Sequence, residues 1–173
     1  SRVFVAEEVA LGRRVVIKVL PPEMAASVNA DRFRREIQMA AQLHHPAIVP
    51  LLTAGSTADL LWYVMPLVEG ESLRARLARQ GQLALDDAAR VWRDLLEALE
   101  FAHQRNVVHR DIKPENIMMA GRHAVVLDFG VAKAVSAATG TSGGAMGMTR
   151  AGMSIGTPTY MAPEQAAADP TVD

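Results

Sequence analysis

The periodicity of this chain changes once, near Ser72, and that change constrains the fold more than any other feature. Before it, short β-branched and aromatic runs surround one helical stretch; after it, apolar residues recur mostly at helical spacing. RVFVAEE and VVIKVL flank LGRR and predict a hairpin, with Pro21-Pro22 ending its second strand. Residues 29–43 predict a helix, with Asp31 in its first turn, Phe33, Ile37 and Ala40 on one stripe, and His44-His45-Pro46 closing it. IVPLLTAG and LLWYVMPL predict two further strands. Beyond Ser72, residues 73–79 predict a short helix stopped by Gly81. Asp86 is expected to cap a longer helix whose stripe is Ala88, Val91, Leu95, Ala98, Leu99 and Ala102. HAVVLDFG supplies a last strand and a tight turn, and the Gly- and hydroxyl-rich residues 136–154 read as a flexible segment. Strands around one helix, followed by helices, make an α+β chain in two lobes.

Composition narrows the function. Half of the 173 residues are hydrophobic and 21% are charged, which predicts a packed core. The net charge of −1 gives no support for nucleic-acid or anionic-membrane partners. No apolar run of about 18 residues is present to span a bilayer. Arg2, Glu7, Glu8, Arg13, Arg14 and Lys18 interrupt the first twenty residues, unlike a signal peptide. With zero cysteines, disulfide and thiolate chemistry are excluded. These features together lead us to expect a cytoplasmic location.

Several charges stand where charges are costly. Lys18 shares a strand face with Val16 and Leu20, and Glu36 lies on the helix stripe between Phe33 and Ala40. A buried charge costs several kcal/mol unless paired, so Lys18 and Glu36 are expected to meet. The stretch VVHRDIKPENIMM, residues 107–119, crowds polar groups between two apolar runs. Asp111, Asn116 and Asp128 offer hard oxygen ligands, which suit Mg²⁺ better than zinc or copper. One Asp and the Asn, with a nucleotide, would complete an Mg²⁺ shell. Asp111 is then left as a base for a hydroxyl nucleophile, with Lys113 to neutralise a phosphoryl group in flight.

These residues resemble a protein kinase. VVIK at 15–18 is similar to the strand Lys motif, HRDIKPEN at 109–116 to the catalytic loop, DFG at 128–130 to the metal-binding turn, and GTPTYMAPE at 156–164 to the end of the activation segment. Lys113 and Thr157 resemble the Ser/Thr rather than the tyrosine kinases, and LVEGESL and HPAIVPLL are similar to the bacterial, eukaryotic-like subgroup. The resemblance implies a bilobal fold, with residues 1–67 a partial N-lobe and 68–173 a partial C-lobe. It also implies Mg²⁺-dependent transfer of the ATP γ-phosphate to protein Ser/Thr hydroxyls. Lys18 would hold the α- and β-phosphates, kept in place by Glu36. Asp111 would be the base, Lys113 would contact the γ-phosphate, and Asn116 and Asp128 would bind Mg²⁺. Met65 resembles the gatekeeper behind the adenine, and Pro66-Leu67-Val68 the hinge. Pro66 lacks an N–H but offers its carbonyl, and Val68 offers its N–H. Ala6, Val16 and Met118 or Met119 would wall the adenine.

Arg110 resembles the arginine that pairs with a phosphorylated activation segment, with Thr149 and Ser154 best placed, and Thr141 and Ser142 behind them. His109 is expected to pack on Phe129. The resemblance also implies missing parts. Ser1 stands at the third glycine of G-x-G-x-x-G, and the chain ends soon after Glu164, so a first strand, a glycine loop and later helices are expected outside it. A fragment of this kind is expected to be weakly active or inactive alone. A pseudokinase scaffold and a small-molecule phosphotransferase of related fold are the alternatives. Whether a parent protein dimerises stays open.

Overall fold

The computed structural model describes residues 1–20, 29–57, 60–138 and 158–166. Strands β1 (Arg2–Glu8) and β2 (Arg13–Val19) form the expected antiparallel hairpin, with Arg2 opposite Val19 and Glu8 opposite Arg13. Helix α1 runs Ala30–Ala40, three residues shorter than the predicted end at 43. The Asn29 side chain caps it by accepting from the N–H groups of Asp31 and Arg32. Strands β3 (Thr53–Ser56) and β4 (Leu61–Pro66) complete a four-stranded sheet in the order β1-β2-β4-β3.

A second, three-stranded sheet joins β5 (Glu71–Ser72), β6 (Ile117–Ala120) and β7 (His123–Val126). Helix α2 (Leu73–Gln80) follows β5, and Gly81 ends it with a φ of 77°, a conformation that favours glycine. Helix α3 spans Leu85–His103 and buries Val91, Leu95, Ala98 and Ala102. Its N-cap is Ala84, without a side-chain bond, so Asp86 sits inside the first turn rather than at the cap as expected. Helix α4 (Val131–Ala138) follows the DFG turn directly. Its last residues, 136–138, belong to the stretch read as flexible, and 139–154 lie outside the described residues. A short helix, α5, covers Pro163–Ala166.

Two cores position everything else. In the first, the stripe of α3 packs with Leu73, Ile117, Met119, Val126 and Phe129, and with Leu43, Ala47 and Ile48 from the segment after α1. In the second, Phe33, Ile37 and Ala40 of α1 pack against Tyr63 and Met65 of β4 and against Val131, Ala134 and Val135 of α4. Phe33 is only 2% exposed, and burying a side chain of this kind stabilises by about 1.5–3 kcal/mol. The backbone also ties the regions together: Val49 N–H donates to the Val126 carbonyl at 2.9 Å, and Val126 N–H to that of Ala47 at 2.8 Å.

Candidate active site

The polar loop after α3 is fixed by the strand that runs beside it. His109 is 1% exposed and stacks edge-on against Phe129, with ring centroids 4.7 Å apart, as expected. Its Nδ1 accepts the Asp111 N–H at 3.2 Å, so Nε2 carries the proton and donates to the Leu127 carbonyl at 2.8 Å. Burial, the largest influence, lowers the His109 pKa and favours this neutral ring. The Leu127 N–H in turn donates to the Asn116 carbonyl at 2.9 Å.

Within that frame Asp111, Lys113 and Asn116 converge. The Lys113 ammonium lies 2.6 Å from Asp111 Oδ2, and Asn116 Nδ2 donates to the same oxygen at 3.0 Å and to the Asp111 carbonyl at 2.9 Å. Asn116 closes a 3₁₀ turn over Pro114–Asn116, which aims its amide back into the loop. Arg110 and Asp128 both take left-handed φ values, 66° and 64°, in residues other than glycine. Strain of this kind costs of order 1–3 kcal/mol and clusters where side chains must be aimed.

Asp128 is where the structure departs from expectation. Lys18 forms its salt bridge with Asp128 Oδ2, not with Glu36 as the sequence suggested. Glu36 is half-buried, beside Met39, Ala40, Asn106, Val107 and Gly130. The packing supplies the reason. Gly130 has a φ of 71°, and a Cβ there would stand 2.7 Å from the Ala40 Cβ, so the turn runs hard against α1. Helix α4 then inserts Val131, Ala134 and Val135 into the core beside α1, which brings Asp128 under β2. Lys18 and Asp128 are 15% and 13% exposed, a partly buried pair.

Sequence reasoning missed a second contact here. The Tyr63 hydroxyl donates to Asp128 Oδ1 at 2.9 Å. Burial first, and the Asp128 charge second, raise this phenol far above its ordinary pKa, so it stays a donor. The available signal was alternation along LWYVMP, where Tyr63 shares a face with Met65. Their register partners Lys18 and Val16 lie on that same face.

The remaining predicted residues fall as follows. Met65 is buried and opposite Val16, Pro66 ends β4 opposite Val15, and Val68 packs on the same core. Ala6 is half-buried opposite Val15 on β1. Met118 is half-buried, whereas Met119 belongs to the core of the second sheet. The Arg110 carbonyl accepts from Gln165 Nε2 at 3.1 Å, which ties α5 to the catalytic loop. Thr149, Ser154 and Thr157 lie outside the described residues, as do Thr141 and Ser142. A further link was not foreseen: Arg74 on α2 donates to Glu115 and to the Tyr160 hydroxyl, each at 2.8 Å.

The donor set suits a cation that keeps most of its ligands elsewhere. Among the described residues no three of His, Cys, Asp and Glu converge on one point. Asn116 spends its amide nitrogen on Asp111, so its carboxamide oxygen is the atom it can offer, and Asp128 Oδ2 already holds a cation, the Lys18 ammonium. One carboxylate and one carboxamide fit Mg²⁺ bound together with phosphates and water.

A two-sheet α+β fold with this loop and this turn defines the class, and the comparison with known families agrees. The chain belongs to the protein kinase domain family, whose model matches residues 1–172. It is 38% identical over 175 residues to the serine/threonine-protein kinase PknB of Mycobacterium leprae, covering 98% of this chain and 27% of that protein. It is 41% identical over 179 residues to PknB of Mycolicibacterium smegmatis, covering 100% and 28%. It is 37% identical over 171 residues to the kinase pkn2 of Myxococcus xanthus, covering 96% and 20%. The chain thus spans between a fifth and three tenths of these relatives' lengths. Among solved structures, the Mycobacterium tuberculosis PknI kinase domain superposes with a TM-score of 0.65 at 30% identity, over 75% of this chain and 53% of that one. Rad53, solved with AMP-PNP, gives 0.67 at 27% identity, over 75% and 34%. The sequence reading of a bacterial-type Ser/Thr kinase fold therefore holds. Among the described residues no helix is long and apolar enough to cross a membrane.

Proposed function

We propose that this chain carries out Mg²⁺-dependent transfer of the ATP γ-phosphoryl group to serine or threonine hydroxyls of proteins. The observation that carries the reading is the convergence of Lys113 and Asn116 on Asp111 Oδ2. Those two bonds orient the carboxylate and leave Oδ1 to receive the proton of a substrate hydroxyl. Lys113, bonded to Oδ2 of the same carboxylate, is placed to meet charge on the transferring phosphoryl group. Asn116 and Asp128 would hold Mg²⁺, which neutralises phosphate charge when bound.

Lys18 would leave Asp128 for the α- and β-phosphates, with Glu36 taking over its positioning. Met65, Pro66 and Val68 would receive the adenine, between Ala6, Val16 and Met118. Nucleotide binding draws support from the AMP-PNP complex of Rad53. Arg110 would pair with a phosphate on Thr149 or Ser154, with Thr157 a further regulatory position of the same segment. Protein substrates are favoured over small molecules by the Gln165–Arg110 link, which seats the end of the activation segment against the catalytic loop. The test uses the full-length protein, labelled ATP and a generic protein substrate, with Asp111→Asn in parallel. Phosphoserine or phosphothreonine that disappears in the variant supports the reading. Absence of transfer at millimolar Mg²⁺-ATP would instead favour a nucleotide-binding scaffold.

A further inference from the structure

Tyr63 and Lys18 stand directly opposite one another in the β2–β4 ladder. Directly opposed residues project from the same face of a sheet, so the phenol and the ammonium reach out side by side. They take the two oxygens of one carboxylate: Tyr63 donates to Asp128 Oδ1 and Lys18 to Oδ2. The two contacts differ in how freely they can be given up. Lys18 ends in a flexible four-carbon stem, whereas the Tyr63 ring is 2% exposed and packed with Leu61, Met65 and α1. A buried tyrosine hydroxyl keeps its partner because no water can replace it.

We propose that Tyr63 is a positioning residue for Asp128, holding Oδ1 from the N-terminal sheet so that Oδ2 is presented to a divalent cation. The inference rests on the reading above, in which Asp128 is a metal ligand. In the described state the Lys18 ammonium sits at Oδ2 as the cation. When nucleotide phosphates draw Lys18 away, Oδ2 is bared while Tyr63 still holds Oδ1. Without the phenol, Asp128 would lose both its anchors at that moment. The left-handed φ at Asp128 makes the anchor matter more, because strained backbone persists only when its surroundings hold it.

The test is Mn²⁺ binding to the full-length protein with AMP-PNP, read from the free-Mn²⁺ resonance signal. The variants are Tyr63→Phe, Tyr63→Met, Asp128→Asn and the Tyr63→Phe/Asp128→Asn pair, and melting without cation reports whether each one folds. Tyr63→Phe is expected to raise the Mn²⁺ dissociation constant about tenfold, the weight of a hydrogen bond to a charged group. Tyr63→Met, donor-free and apolar, must reproduce the shift, and the pair must bind no more weakly than Asp128→Asn alone. In turnover, the Mg²⁺ requirement must rise by more than kcat falls. Unchanged Mn²⁺ affinity in Tyr63→Phe, beside a weakened Asp128→Asn, would overturn the role of Tyr63 and leave the metal reading standing. Wild-type affinity in Asp128→Asn would sink the metal reading itself. A fall in kcat that is equal at every Mg²⁺ concentration would mark Tyr63 as a packing residue only.

Discussion

Replacing Gly130 with alanine probes the contact that sets Asp128 in place. Two costs can be separated. The backbone there has a φ of 71°, and a left-handed conformation costs a residue with a Cβ about 1–2 kcal/mol. The new Cβ would also stand 2.7 Å from the Cβ of Ala40 and 3.6 Å from Cγ1 of Val107. The first distance is well inside contact, and Ala40 has no flexible end to swing aside. Relief must come from parting α1 and the turn, and overpacking of this kind costs about 1–3 kcal/mol. The sum is a loss of roughly 2–5 kcal/mol, read as a lowered urea midpoint at constant slope. Ala40→Gly separates the two parts. In that background the steric share disappears and Gly130→Ala should cost only the backbone share, about 1–2 kcal/mol. Equal costs in the two backgrounds, or a loss below about 1 kcal/mol in the first, would refute the close approach as the reason for glycine.

Three further outcomes are expected. Asn29→Ala removes the acceptor for two N–H groups at the start of α1 and should cost about 1 kcal/mol in urea unfolding. His109 has a lowered pKa in the folded protein, so its contribution to stability is present above about pH 6.5, where the unfolded ring is also neutral. That contribution is lost as pH falls from there toward the folded value, because the unfolded chain takes up a proton that the buried ring refuses. The melting temperature should drop across this window, and by less in His109→Gln. Arg74→Ala breaks an exposed bridge to Glu115 and Tyr160, so the melting temperature should barely move, and any shift should fade toward about 1 M salt.

Much of the fold was legible because the hydrophobic period is a local signal. The hairpin, the stripe of α3 and the stop of α2 at Gly81 follow from neighbours a few positions apart. The catalytic loop was legible for a different reason: its polar groups lie within eight residues and converge on Asp111 by short-range turns. What escaped was set by packing between distant segments. The sequence pointed Lys18 to Glu36 alone, and its meeting with Asp128 instead depends on helix α4, whose last residues, 136–138, read as part of the flexible glycine-rich stretch. Tyr63 escaped because a buried aromatic in a strand is usually core, and only the β2–β4 register turns its hydroxyl toward a functional carboxylate. Asp86 misled through a reasonable rule, since α3 is capped two residues earlier, at Ala84, and leaves it in the first turn.

The grip on Leu127 has a kinematic consequence. Its N–H is held by Asn116 and its carbonyl by His109, while the preceding residue, Val126, is bonded to Ala47 and Val49 on both backbone groups. His109 and Asn116 are therefore tied through Leu127 to the backbone at Ala47 and Val49, whereas the Asp128 carboxylate is held by the side chains of Lys18 and Tyr63. A small molecule that wedges beneath Asp128 works against one ammonium and one phenol. One that would part Asp111 from Asn116 has to open the whole lattice of bonds behind them. Ligands should therefore find less resistance at the Asp128 carboxylate than between Asp111 and Asn116.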